Sequence, residues 1–395
     1  MKRLLLLIFL ASLLFSPSGV AAPAQIVVSD LKLLASIGNV GEVSGIVTSG
    51  ATVVIYGTKL ERSFVRTINA TGEELWKVDL EPQVQSIATC AAIDNTGNIW
   101  IAGSISQIPP TPTPLPSAST LNPDNVSAVS EDFDTSLRTI VLWKIDKNTQ
   151  EVSKFTLENT SPVLITSIAV DKNGVSIAGI AATNNGSSGF VVSTGLSGEF
   201  GKPLSIGSES TTLDAVVRHS DGSLSVVGSS AETLKGKKLV GTTDGIIVKI
   251  SKSNQVLSVV RSSATKSMRN WNSATSSLLL AGEVISGKVI KSAVTKFSSS
   301  YVPSWTHRFT STGQAFTSGS TYAFFASVGP VTQLARWSPK APRPLLLSFD
   351  AKGSVIAAYA APTSQSKVLG LVSSKSLGPL CLSADKETVS IFSLN

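Results

Sequence analysis

Asp94-Asn-Thr-Gly97-Asn-Ile-Trp-Ile-Ala-Gly103 decides the fold, because the same design returns at Asp171-Lys-Asn-Gly174-Val-Ser-Ile-Ala-Gly179 and at Ser220-Asp-Gly222-Ser-Leu-Ser-Val-Val-Gly228. In each copy an Asp or Asn opens a tight turn, where its side chain can bond the backbone two residues on. A Gly follows at the position that needs φ > 0. Alternating apolar residues then make a two-faced strand, which closes on a second Gly. That closing Gly is expected to let the chain pass close to a neighbouring blade. Weaker copies are Thr48–Gly57, Ser276–Gly282 and Ser318–Gly329, with a further candidate at Asp350–Tyr359.

A second element follows most copies: Phe64–Trp76, Ile140–Val152 and Ile246–Leu257, with degenerate versions at Ala293–Trp305 and Gln333-Leu-Ala-Arg-Trp337. Each reads as strand, polar turn, strand. Two hairpins make a four-stranded unit. The closing glycines are 46 residues apart from Gly57 to Gly103, 49 from Gly179 to Gly228 and 54 from Gly228 to Gly282, a period of propeller blades. The fold class is therefore all-β: a β-propeller of about seven four-stranded blades, six being the alternative because the copies crowd after Gly329. A four-stranded unit exposes two apolar faces, so only stacking stabilises it. The strand-like segment Gln25 to Ile37 is placed to complete the last blade beside Val389-Ser-Ile-Phe392.

Residues 94 to 103 with 140 to 152 resemble the bacterial seven-bladed propeller repeat family. Asn69-Ala-Thr-Gly72-Glu-Glu-Leu-Trp76 also resembles the repeat of quinoprotein-type propellers. The resemblance covers most of residues 40 to 310. It implies a propeller fold and, for the second family, a quinone held in the central channel against adjacent cysteines. This chain has no adjacent cysteines.

The N-terminus carries Lys2 and Arg3, an apolar run from Leu4 to Phe15, and small residues with Val20, Ala21 and Ala22. This is the pattern of a secretory signal, so residues 1–24 are expected to be removed and 25–395 to form one exported, cell-envelope-associated propeller. The run is short for a span, and no later segment is apolar enough to cross a bilayer. Residues 107–136 combine Pro109, Pro110, Pro112, Pro114 and Pro116 with the acidic Asp124, Glu131, Asp132 and Asp134. Such a composition cannot bury enough surface to offset ordering, so a flexible insertion is expected.

Reactive residues are few. Cys90 and Cys381 lie in strand-like stretches and are expected as buried free thiols. Only two histidines occur, His219 beside a turn and His307 in a strand after Trp305, so paired histidine ligands are absent. A Ser-His-Asp arrangement requires only that its members meet in space, yet no G-x-S-x-G elbow exists. The turn aspartates Asp94, Asp171, Asp221 and Asp350 could pair as glycosidase carboxylates, but their recurrence at one turn is explained by turn geometry. Glu131, Asp132 and Asp134 could bind calcium weakly. Trp76, Trp100, Trp143 and Trp337 are expected to pack between blades.

Net charge is +7, with Lys and Arg scattered apart from Lys235, Lys237 and Lys238. Basic and aromatic residues are not interleaved, which disfavours nucleic acid. No catalytic, cofactor-binding or metal residues and no cofactor are assigned. The expected function is a non-catalytic, monomeric extracytoplasmic platform for a protein or cell-envelope glycan. The alternatives are a secreted polysaccharide hydrolase or lyase using rim carboxylates or His219, and a quinoprotein oxidoreductase.

Overall fold

The structure, a computed structural model, describes residues 25–106 and 136–394. The expected signal segment and nearly all of the proline-rich insertion lie outside the described residues, as do Glu131, Asp132 and Asp134. Among the described residues all helical or extended structure is strand, and no helix is long and apolar enough to cross a membrane.

The strands form seven antiparallel blades in chain order, covering residues 43–79, 86–158, 163–206, 211–262, 268–310, 311–360 and 367–393. Five blades are separate sheets of four strands. Blades 5 and 6 share one 16-residue strand, Pro303–Ser318. Its first part pairs with Val289–Phe297 as the outer strand of blade 5, and its last part with Tyr322–Ser327 as the inner strand of blade 6. The register breaks between Ser311 and Ala315, where the chain changes blade.

The ring closes as the N-terminal segment suggested. Lys32–Asn39 pairs antiparallel with Thr388–Ser393 and supplies the fourth strand of blade 7. The residues just before it behave differently: Val28–Asp30 joins the outer edge of blade 6, parallel to Val355–Ala360. The inner strand of blade 7 lies against that of blade 1, so no inner strand is left at an open end. Closure of this kind protects the strand edges that an open array would expose.

Seven apolar clusters fill the seven blade interfaces. One joins Val54 and Val65 of blade 1 to Ile101 and Trp143 of blade 2. Another joins Trp100 and Leu142 of blade 2 to Ile177 and Phe190 of blade 3. The closing interface packs Leu380 and Ile391 of blade 7 on Val53 and Ile55 of blade 1. Middle strands are therefore buried on both faces, as in Ile99–Ser106, where every residue is buried. Each large side chain so buried contributes about 1.5–3 kcal/mol. Trp100, Trp143 and Trp337 sit in these interfaces as expected, and Trp76 packs at the margin of one. Cys90 and Cys381 are free and buried.

Two expectations near the C-terminus are corrected. Asp350–Tyr359 is the turn and last strand of the outer hairpin of blade 6, Arg343–Phe349 with Val355–Ala360. The inner hairpin of blade 7 is Lys367–Ser374 with Gly378–Ala384. Counting the outer hairpin as a new blade is what made the copies crowd. Gln333–Trp337 forms no hairpin. It lies in the long connection before Arg343, where Trp337 Nε1 donates to Ser327 Oγ at 3.1 Å.

Candidate functional site: the polar ring of the central channel

Every inner strand carries a register shift, in most blades near its N-terminal end and in blade 5 past the middle. The shifts fall at Val43/Gly45, Ala88/Cys90, Ile165/Ser167, Leu213/Ala215, Trp271/Ser273, Ser311/Ala315 and Val368/Gly370. A bulge places one residue outside the ladder and bends the strand. In five blades the residue across from the shift is the closing glycine. A Cβ on Gly103 would lie 1.8 Å from the carbonyl oxygen of Ile87, and one on Gly282 1.9 Å from that of Asn270. Gly57, Gly179 and Gly228 face Glu42, Leu164 and Thr212 in the same way. The glycine thus makes room for the inner strand of its own blade, which corrects the expected role against a neighbouring blade.

The shifts leave Ser44, Thr89, Thr166, Asp214, Asn272 and Leu369 outside the ladder, with Gln314 the last of three such residues in blade 6, at equivalent places of the inner strands around the channel. None is buried, whereas the residue before each is. Two of them tie one blade to the next: Thr166 Oγ1 donates to the carbonyl of Leu213 at 2.5 Å, and Asn272 Nδ2 donates to that of Ala315 at 2.8 Å.

Asp214 is the one carboxylate in this ring. Thr212 Oγ1 donates to its Oδ2 at 3.1 Å. Burial pushes its pKa up to about 6, against the restraint of hydrogen bonds from Thr212 and Asn270, and the Glu283 carboxylate adds to the rise. Burial also raises Glu283, which projects beside Gly313 of blade 6. Asn270 stands across the ladder from Glu283. The arrangement offers a polar ligand one proton-sharing carboxyl and several hydroxyl and amide groups. Among the described residues no group of three or more His, Cys, Asp or Glu side chains is placed to hold a metal.

The singled-out residues lie elsewhere. Asp94, Asp171 and Asp221 occupy turns at the opposite ends of the inner strands, and Asp350 an outer turn. Among the described residues no three of them come together. Asp94 Oδ1 accepts from the amides of Thr96 and Asn98 at 2.9 Å each, and its Oδ2 accepts from Trp100 Nε1 at 3.0 Å. Burial opposes ionisation there, but the bonds from Thr96, Trp100 and Asn98 outweigh it and hold the carboxyl at about 2. Asp171, Asp221 and Asp350 accept turn amides likewise.

His219 Nε2 lies 2.7 Å from Ser225 Oγ, which lies 2.7 Å from Tyr301 Oη of blade 5. Ser225 is 1 % exposed, so this serine–histidine contact is an interblade tie out of reach of substrate. Burial lowers the His219 pKa. His307 contacts the Gly353 carbonyl at 2.6 Å and stacks against Phe309 and Phe349. Sequence reasoning passed over Asp214 and Glu283. The available signal was a carboxylate inside an apolar strand in Thr-Leu-Asp214-Ala-Val and again in Ala-Gly-Glu283-Val.

No protein-family model and no curated protein matches the sequence. Solved structures do. The uncomplexed acylaminoacyl peptidase of Pyrococcus horikoshii is similar over 90% of this chain and 51% of its own, with a TM-score of 0.50 and 11% identity. Its orthorhombic crystal form matches over 87% and 48%, with a TM-score of 0.47 and 12% identity. The N-terminal domain of Nup159 matches over 89% and 76%, with a TM-score of 0.33 and 10% identity. The chain spans about half the length of the peptidase it matches. At this identity the likeness is one of fold.

Proposed function

We propose that this chain is a non-catalytic extracytoplasmic propeller that binds a protein or a cell-envelope glycan over its channel mouth. The observation that carries the reading is the ring of bulge side chains, in which short hydrogen-bonding groups stand at equivalent positions of successive blades. Loops from every blade meet around such a mouth, where binding residues usually reside. His219 and the two cysteines are held in the scaffold, while His307 stacks on Phe309 and Phe349 and lines a cavity beside Trp305. The signal-like N-terminus supports export. A co-sedimentation assay with purified envelope glycan tests the reading: the wild type should be retained and the exposed-site variant Ser44→Ala/Gln314→Ala released. Retention of neither glycan nor envelope protein at physiological salt would refute it.

A second reading has its own observation. Asp214 and Glu283 are two interacting carboxyls, and a polysaccharide hydrolase uses such a pair with one member protonated and the other ionised. Release of reducing ends from polysaccharide by the wild type, lost in both Asp214→Asn and Glu283→Gln, would favour it over the platform.

A further inference from the structure

Blade 5 presents a cationic face to blade 4. The registers place Arg269, Val284, Lys291 and Thr310 in one cross-strand row, and Trp271, Gly282, Ala293 and Arg308 in the next. Directly paired residues share a face of the sheet, so Arg269, Lys291 and Arg308 project to the same side. The third row brings Thr295 and Thr306, whose hydroxyls are 3.0 Å apart. Gly282 and Ala293 put no long side chain on this face, and the Arg269 guanidinium lies 4.1 Å from the Trp271 ring centroid.

Arg269 is 5% exposed, and none of the ion pairs among the described residues includes it. Its side chain makes one long hydrogen bond, Nη2 to Thr295 Oγ1 at 3.4 Å, and the buried Nε has no partner. An aromatic face attracts the charge but accepts none of the five N–H bonds in the way an oxygen does. Burying a guanidinium with its donors unmet is costly. The neighbouring group is another cation: Arg308 is exposed and in none of the ion pairs among the described residues, and its charge adds to burial in lowering the Arg269 pKa to about 10. Asp244 at the edge of blade 4 is committed to Arg261 at 3.1 Å and to the amides of Val240 and Gly241.

The wider charge distribution has the same sense. Residues 233–349 hold 15 Lys and Arg but only two Asp and Glu, while the rest of the chain is net acidic. The basic residues are therefore concentrated on blades 4 to 6, which corrects the scattered distribution expected above.

We propose that Arg269 and Arg308, with the Thr295 and Thr306 hydroxyls, form an oxyanion site between blades 4 and 5 that takes a phosphate or sulfate group. An oxyanion there would accept from the fork of Arg269 and be screened by Arg308. The site is separate from the channel ring and stands whether or not that ring binds glycan.

Thermal melts in inorganic phosphate or sulfate, with chloride making up a constant ionic strength, test this directly. The wild type should show a saturable rise in Tm and a matching calorimetric isotherm. Arg308→Ala, an exposed change, should weaken affinity at least tenfold, and Arg269→Met should abolish it while retaining the native circular dichroism. A soluble glycerol-phosphate polymer at equal phosphate distinguishes the sources: binding of the polymer alone would still assign the oxyanion site, to a polymeric ligand. Equal response to phosphate, sulfate, polymer and chloride would overturn the proposal, as would binding unchanged in both variants.

Discussion

Replacing Asp214 by Asn should stabilise the protein at neutral pH and remove part of its pH dependence. The asparagine retains an oxygen to accept from Thr212 Oγ1, so the change removes charge and little shape. Folding raises the Asp214 pKa from 3.8 to about 6. The folded state therefore holds this proton more tightly than the unfolded one. The resulting penalty is absent below the unfolded value, grows as pH rises from about 4 through about 6, and is complete near pH 7. Each pKa unit is worth about 1.4 kcal/mol, so the ceiling is about 3 kcal/mol. Asp214 is only partly buried, and solvent screening reduces the expected effect to about 2 kcal/mol.

Denaturant titrations at pH 7.0 and 5.0 measure it. Asp214→Asn should be more stable by about 2 kcal/mol at pH 7, and the gap should shrink as pH falls. Glu283 has the same sign as Asp214, since its pKa is also raised by burial. His219 has the opposite sign: its depressed pKa costs stability as pH falls through the unfolded value. His219 contributes equally to both proteins and cancels, whereas Glu283 is coupled to Asp214, so the difference reports Asp214 together with the relief of that repulsion. A variant less stable than the wild type at pH 7, or a gap that widens on acidification, would refute the reasoning.

Gly103→Ala should destabilise by about 1–3 kcal/mol, because its Cβ would meet the Ile87 carbonyl at 1.8 Å and blade 2 must shift to admit it. Gly41→Ala, with open space around it but φ at +92°, serves as a control with backbone strain alone, and chemical denaturation should rank the first change as the larger. Glu232 accepts from the amides of Glu209 at 3.0 Å and Ser210 at 2.8 Å and from Thr211 Oγ1 at 2.8 Å. Burial opposes its ionisation, but these bonds prevail and hold its pKa at about 2. Its stabilisation should be present above about pH 4.3 and vanish as pH falls toward 2. Acid titration of Glu232→Ala should lose that segment of the wild-type curve, at a cost of roughly 1–2 kcal/mol at neutral pH.

The fold was legible where the turn chemistry repeats. Asp94 and Gly97, or Asp221 and Gly222, disclose a turn because few residues bond their own backbone or accept φ > 0. Blade 7 escaped because its inner hairpin turns at residues 375–377 and has Ser383 where blades 1 to 5 have the closing glycine. The glycines were recognised but their partner was not: a bulge is a property of pairing, and pairing partners are not written in a single strand. Asp214 was obscure for the same reason. Read along the chain, it is the polar member of an alternating strand; only the bulge turns it to the channel and brings it near Asn270 and Glu283. The unpartnered Arg269 likewise depends on which residues of blade 5 face blade 4.

The closed seven-bladed ring is tested most directly by linking its two ends. Ser36 and Ser390 pair across the closing strands, their hydroxyls 3.3 Å apart and their positions 354 residues apart in the chain. Mild oxidation of the double variant Ser36→Cys/Ser390→Cys should give a monomer with an internal disulfide, identified by peptide mass spectrometry, while the buried Cys90 and Cys381 stay reduced. Absence of that bond, or its formation only between two chains, would contradict closure by the N-terminal strand.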